Sequence, residues 1–348
     1  MQTMVEFKGY ALTNTNRAEW TSLEVVPFIP KKFEDDDVEL AITHCGLCGS
    51  DIHIVRQGWG SPPYTPIIVG HEIVGIVTKV GPKVTEFKPG DRAGVGGRYC
   101  PGATTTVLDR HPDGSPSQGG FATAIRANER FVFAIPEAIE SKDAASMLCA
   151  GLTVFSPMRR NNVGPGTKVG VVGIGDLGHY AILFAKALGA EVYAFTHSPS
   201  KRDDAKKLGA DHIIDIGNET PRLKDFHKPY TDTLDFIIAT TSIYSPNSSF
   251  STYTSMLTVN GKFITVSLPD ADKPMPPLHA ADLVFSGAYI GGSFVGSKID
   301  CYAMLKIATE KGIKPWVEEL PMRELATALE KAHNGDARYR YVLTQDVV

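Results

Sequence analysis

Cys48, the pair His71-Glu72 and Cys149 supply the side-chain types that hold a transition metal: two thiols, an imidazole and a carboxylate. Two thiolates cancel the charge of a zinc ion, and one imidazole completes three donors. The fourth position is left open to a substrate oxygen, as in a catalytic rather than a structural zinc site. Spacing alone does not separate that site from three unrelated core residues, since buried cysteine and histidine also serve as packing.

A second pattern, Gly173-Ile174-Gly175-Asp176-Leu177-Gly178, follows the apolar run 168–172 and opens a helical run over 177–188. In that position a G-x-G-x-x-G sequence turns tightly, brings backbone N–H groups close to a pyrophosphate and aims a helix N-terminus at its charge. A glycine-rich turn without a ligand is the plainer alternative. A dinucleotide site that prefers NAD carries an acidic residue about 20 positions further on. Here the second strand ends in Thr196-His197-Ser198-Pro199-Ser200-Lys201-Arg202, with no carboxylate before Asp203. Hydroxyls and cations suit a 2′-phosphate, so NADP is expected. An ordinary solvated helix start is the alternative.

The elements that must position these groups fall into two kinds. Runs at 38–42, 73–80 and 131–135, separated by turn clusters such as Lys88-Pro89-Gly90-Asp91, mark a β-rich part over residues 20–135. Beyond 150, apolar runs at 168–172, 191–195, 212–215, 234–239, 261–267 and 287–291 alternate with helical stretches at 177–188 and 201–208, the rhythm of a doubly wound parallel sheet. Helical patterns at 303–311 and 322–334 lead to a last strand at 339–344.

At 348 residues the chain predicts two domains. Its 43% hydrophobic and 21% charged residues exclude disorder as the main state. With 35 Lys and Arg against 39 Asp and Glu, the net charge of -4 speaks against a nucleic acid or an anionic membrane as partner. Glu6 and Lys8 interrupt any apolar leader core, and no run approaches a membrane span. Five cysteines do not make a disulfide framework, so a cytoplasmic protein is expected.

Beyond the two patterns, the stretches Cys45-Gly46-Leu47-Cys48-Gly49-Ser50-Asp51-Ile52-His53, Gly70-His71-Glu72, Lys88-Pro89-Gly90-Asp91-Arg92, Ser117-Gln118-Gly119-Gly120-Phe121 and Leu148-Cys149-Ala150-Gly151-Leu152-Thr153-Val154 cover nearly the whole chain. Together with the glycine pattern, the sequence resembles the zinc-dependent medium-chain alcohol dehydrogenases, in their cinnamyl alcohol dehydrogenase branch. The resemblance implies an α/β protein with a GroES-like β-rich catalytic domain over 1–154, completed by 296–348, and an inserted Rossmann domain over 155–295. It implies that Cys48, rather than Cys45, joins His71 and Cys149 on zinc, with Glu72 the neighbouring carboxylate. Asp51 would accept from the other ring nitrogen of His71. Ser50 and His53 would relay the alcohol proton, and Trp59 would line a pocket for flat aromatic aldehydes. For the cofactor, it assigns Thr196, Ser198 and Lys201 to the 2′-phosphate, Gly292 and Ser293 to the nicotinamide, and Arg340 to the pyrophosphate. Relatives often carry arginine where this chain has His197, which weakens the NADP preference. Cys45, His44 and His179 are expected to serve packing or surface.

Relatives also carry a lobe with four cysteines for a structural zinc. Between Gly96 and Gly102 this chain keeps only Cys100, which cannot close a tetrahedral shell, so one zinc per subunit is expected. Either the lobe is absent or a segment is missing from the sequence as written. The expected activity is a zinc-dependent, NADP-preferring alcohol dehydrogenase that mainly reduces aromatic or medium-sized aldehydes, as a homodimer. The rivals are a polyol or secondary-alcohol dehydrogenase, a zinc-free quinone reductase and a non-catalytic NADPH-binding protein.

Overall fold

The computed structural model describes residues 6–96, 104–216, 226–241, 250–273, 275 and 277–347. Two compact units divide the chain. One comprises Met1–Cys149, Gly296–Glu310 and Trp316–Val348; the other Ala150–Val295 and Lys311–Pro315.

The first unit is built on a seven-stranded sheet. Its strand Asp37–Gly46 is flanked antiparallel by Arg340–Thr344 on one side and Glu72–Val80 on the other. Arg92–Val95 and Val132–Ala134 extend the sheet past Glu72–Val80, Val317–Pro321 lies outside Arg340–Thr344, and Ala124–Asn128 pairs with the start of Asp37–Gly46. Alternation puts Val38, Leu40 and Ile42 into a core with Ile73, Val77, Phe121 and Leu343. A second, three-stranded antiparallel sheet orders Leu23–Phe28, Phe7–Leu12 and Ile67–Ile68. Pairing slips between Ile42 and His44 in the central ladder. Such bulges re-aim the side chains that follow, here Cys45 to Cys48.

The second unit is a six-stranded parallel sheet in the order His212–Asp215, Glu191–Thr196, Lys168–Val172, Leu234–Ala239, Leu257–Thr265, Tyr289–Gly292. Counted along this unit the order is 3-2-1-4-5-6, that of a dinucleotide-binding fold. Phe195, Ile237, Tyr253, Met256 and Phe263 fill one of its cores.

Several elements differ from expectation. The fifth strand of this sheet starts at Leu257 rather than 261. The helix expected at 303–311 starts at Lys298, because Ser297 and Asp300 exchange hydrogen bonds at its start: Ser297 Oγ donates to Asp300 at 2.8 Å and accepts from the Asp300 N–H at 3.2 Å. Two elements that carry chemistry were not expected as helices. Gly49–Val55 is helical directly after Cys48, and Ser141–Ser146 runs into a π-helical turn, Met147–Gly151, that holds Cys149. Wide π turns of this kind are frequent at functional sites.

Candidate metal and cofactor sites

Cys48, His71, Glu72 and Cys149 offer ligand atoms that all lie within 4.8 Å of one another, the one such group among the described residues. Cys48 precedes the helix Gly49–Val55, His71 and Glu72 open the strand Glu72–Val80, and Cys149 comes from the π turn. All but the partly exposed His71 are buried. Two soft thiolates and an imidazole fit zinc, and a carboxylate within reach can follow a change of coordination.

Asp51 sets the geometry. Its side chain is fully buried and accepts from the Cys48 N–H at 3.0 Å, the Gly70 N–H at 2.9 Å and His71 Nδ1 at 3.0 Å. A proton on Nδ1 leaves Nε2 as the lone-pair donor of the imidazole. Burial disfavours the His71 imidazolium, but Asp51 and the Cys48 sulfur outweigh it and hold the His71 pKa well above its ordinary value. The two thiols divide one proton. The hydrogen bond from Cys149 carries the Cys48 pKa well down against its burial, and the same bond, with burial, carries Cys149 well up. A metal that takes both sulfurs therefore releases a proton. Cys45, also fully buried, has its thiol pKa raised by burial and packs beside the cluster as expected.

Arg340 has a partner inside the protein that the sequence did not reveal. Its fully buried guanidinium grips Glu72, with Nε donating to Oε2 at 3.2 Å and Nη2 to Oε1. The partner that sequence reasoning gave it was a pyrophosphate; the pairing with Glu72, 268 positions away, was missed. Sheet register makes the pair possible, since Gly46 lies opposite both Val342 and Glu72. A Cβ on Gly46 would fall 1.9 Å from Glu72 Oε2, so only glycine leaves the carboxylate its place.

Ser50 and His53 lie three residues apart on the helix Gly49–Val55, spacing that puts both on one face. The His53 imidazole stacks on Trp59 at a centroid distance of 4.9 Å and 12° between planes.

In the second unit the glycine pattern joins the strand Lys168–Val172 to the helix Asp176–Ala187. Gly173 adopts a φ of 90°. A Cβ on Gly178 would meet Gly173 O at 2.0 Å, whereas a Cβ on Gly175 would meet nothing within 4 Å. The space over Gly175, at the helix N-terminus with Asp176 and Leu177, suits a pyrophosphate. Thr196 is buried and its Oγ1 accepts from the Ser198 N–H at 3.1 Å; Ser198 Oγ lies 2.9 Å from Ser200 Oγ. Burial lowers the Lys201 pKa against the opposing pull of Asp204 and Asp176. One neighbour escaped sequence reasoning: Asp215 on the adjacent strand lies in register with Thr196 and is ion-paired with Arg202. Gly292 ends the outermost strand, and Ser293 Oγ accepts from Arg160 at 2.7 Å. Buried His179 holds its Nδ1 2.6 Å from the Asp176 carbonyl, and His44 contacts Thr43 and Glu319 on the sheet.

Cys100 and the crossing it marks lie outside the described residues, so the expectation about a structural zinc has no structural counterpart here. Among the described residues no helix is long and apolar enough to cross a membrane.

Residues 34–137 match the family model of the alcohol dehydrogenase GroES-like domain, and residues 177–310 that of the zinc-binding dehydrogenases. The chain is 38% identical to NADP-dependent alcohol dehydrogenase 6 of Saccharomyces cerevisiae, over 97% of this chain and 96% of that protein. Among solved structures, a cinnamyl alcohol dehydrogenase of Sorghum bicolor superposes with a TM-score of 0.87 at 34% identity, covering 98% of each chain. The cinnamyl alcohol dehydrogenase of Helicobacter pylori, solved with NADP(H), does so with a TM-score of 0.85 at 30% identity and the same coverage. The chain belongs to the zinc-dependent medium-chain alcohol dehydrogenases, in the cinnamyl alcohol dehydrogenase branch. It is accordingly an oxidoreductase with a GroES-like domain and a Rossmann domain.

Replacing Arg340 with Met removes one partner of a buried pair, which typically costs about 3–5 kcal/mol. Urea unfolding of the Arg340→Met protein is expected to show a loss of that order. A loss below about 1 kcal/mol would mean that Glu72 does not depend on the guanidinium.

Proposed function

We propose that the protein reduces aromatic or medium-sized aldehydes to primary alcohols with NADPH, on a zinc held by Cys48, His71 and Cys149 with Glu72 alongside. The observation that carries this reading is the convergence of the ligand atoms of those four residues, three of them buried, within 4.8 Å of one another. When bound, zinc supplies Lewis acidity to the carbonyl and the dinucleotide supplies two electrons. Asp51 orients His71 through Nδ1. Arg340 holds the Glu72 carboxylate in place beside the sulfur and imidazole donors. Ser50 and His53 deliver from solvent the proton that the alcohol oxygen needs, and Trp59 offers an aromatic wall to a flat substrate.

The choice of NADP draws support from Thr196, Ser198 and Lys201 at the end of the second strand. An incoming phosphate dianion favours the charged Lys201 that burial disfavours. Arg202 neutralises Asp215, the nearest strand-end carboxylate in register. The yeast relative is named NADP-dependent and the Helicobacter structure contains NADP(H). Gly173, Gly175 and Gly178 receive the pyrophosphate, and Gly292 and Ser293 the nicotinamide end.

A homodimer and a cytoplasmic location complete the proposal. The edge strand Tyr289–Gly292 and the residues before it expose Val284 at 75%, Phe285 at 89% and Tyr289 at 59%, an apolar margin suited to a second copy. Among the described residues, Cys45, Cys48, Cys149 and Cys301 are buried free thiols, which suits a reducing compartment.

Metal analysis tests the central reading: the wild type is expected to hold zinc that Cys149→Ser loses together with turnover. A Cys149→Ser enzyme that kept both would sink the assignment. Lys201→Ala is expected to raise the KM for NADPH about tenfold while leaving that for NADH nearly unchanged; equal losses would mean that Lys201 does not read the phosphate. Sedimentation velocity at the mass of one subunit would remove the dimer, and cell fractionation into a secreted pool would remove the cytoplasmic location.

A further inference from the structure

The turn after the helix Gly49–Val55 is built with unusual care for a surface connection. Arg56 caps the helix, and Gly58 N–H closes it on the His53 carbonyl at 2.8 Å. Between them Gln57 adopts a φ of 58°, a left-handed conformation that a side chain rarely takes and that glycine would adopt without strain. Gln57 is nonetheless 4% exposed, and each of its polar groups is used. Its Nε2 donates to the Thr15 carbonyl at 2.8 Å, its Oε1 accepts from Ser61 Oγ at 3.3 Å, and its carbonyl accepts from Arg17 Nη2 at 3.2 Å and from the Gly60 N–H at 3.2 Å. Strain held by surrounding structure is a pointer to function rather than an accident of packing.

What this turn delivers is Trp59, laid flat on His53 with ring centroids 4.9 Å apart and planes 12° apart. A histidine on a helix face can rotate about two side-chain torsions, and a relay needs it in one orientation. An indole against the imidazole face restricts that rotation. Both ring nitrogens lie in the imidazole plane, so a face-on partner restrains the ring without itself engaging either nitrogen. Misorientation of a proton-transfer group costs rate without costing binding.

We propose that Trp59 is a positioning residue for His53, and that the strained turn at Gln57 is the mount that holds it there. The proposal rests on the reading of His53 as a proton relay. It predicts an energetic coupling between the two rings that a substrate wall would not show.

A double-mutant cycle tests it on the zinc-loaded enzyme with saturating NADPH and a small aliphatic aldehyde. His53→Ala is expected to lower kcat about tenfold or more. Trp59→Leu should lower kcat about three- to tenfold with little change in KM, and Trp59→Phe, which keeps an aromatic face, should restore most of the rate. In the His53→Ala background, Trp59→Leu should change kcat by less than about twofold, because the ring it positions is gone. An independent readout needs no turnover: the upfield ring-current shift of the His53 ring protons in the wild type should disappear in Trp59→Leu and persist in Trp59→Phe. Equal effects of Trp59→Leu in both backgrounds would overturn the positioning role and leave the relay intact. A rise in KM alone would also overturn it. Unchanged kcat in His53→Ala would overturn the relay and this proposal with it.

Discussion

Asp51 has no exposure to water, and a carboxylate in that position must find its partners inside the protein. It finds three: the N–H that starts the helix Gly49–Val55, the N–H of Gly70 and the His71 ring. Each bond fixes a different piece of chain. The first sets Cys48 at the head of the helix, and the third turns the imidazole. The second holds Gly70 at a φ of 99°, where a Cβ would press on Cys45 Sγ and Phe121 N at 2.9 Å each. Two of the four candidate donors, Cys48 and His71, are thus placed by one carboxylate, while Cys149 is placed by its own π turn.

Charge balance extends the same logic. Two carboxylates, Asp51 and Glu72, are set against His71 and Arg340, while the two thiols share a proton between them. Without a metal the two thiols hold one proton between them, and a dication that takes both sulfurs displaces it, together with the proton on the His71 nitrogen that turns to the metal. Arg340 matters here because an unopposed Glu72 would be a third anionic group beside the thiols. The Gly46 position, where a Cβ would overlap the carboxylate, shows that this pairing constrains the sequence of the neighbouring strand as well.

The convergence of Cys48, His71, Glu72 and Cys149 was legible only through the family resemblance, since residue types and spacing left three core residues as an alternative, whereas the parallel sheet was legible because its strands are buried on both faces and read as continuous apolar runs. The helix that brings Cys149 was not. Residues 143–158 are buried all round, so they lack the polar stripe that marks an amphipathic helix. The Glu72 partner of Arg340 was not legible, because it depends on strand register across the whole chain, which local pattern cannot supply. The start of the helix Lys298–Lys311 was legible in principle, since Ser297 and Asp300 have the spacing of a capping box.

At the cofactor end, the expectation of an acidic residue about 20 positions after the glycines treats specificity as a property of one strand. The parallel sheet makes it a property of two. Thr196 closes its strand beside Asp215 on the next, so an acid does stand near the strand end even though none follows Thr196 in sequence. Its effect on a bound phosphate is cancelled locally, because Arg202, one residue beyond Lys201, turns to Asp215 and forms an ion pair with it. Lys201 is partly buried and burial disfavours its charged form against the pull of Asp204 and Asp176, so an incoming anion would favour that charge. On the proposed reading, Arg202 contributes to cofactor selection by occupying a carboxylate and Lys201 by meeting a phosphate, a division of labour that rests on the register of the adjacent strand.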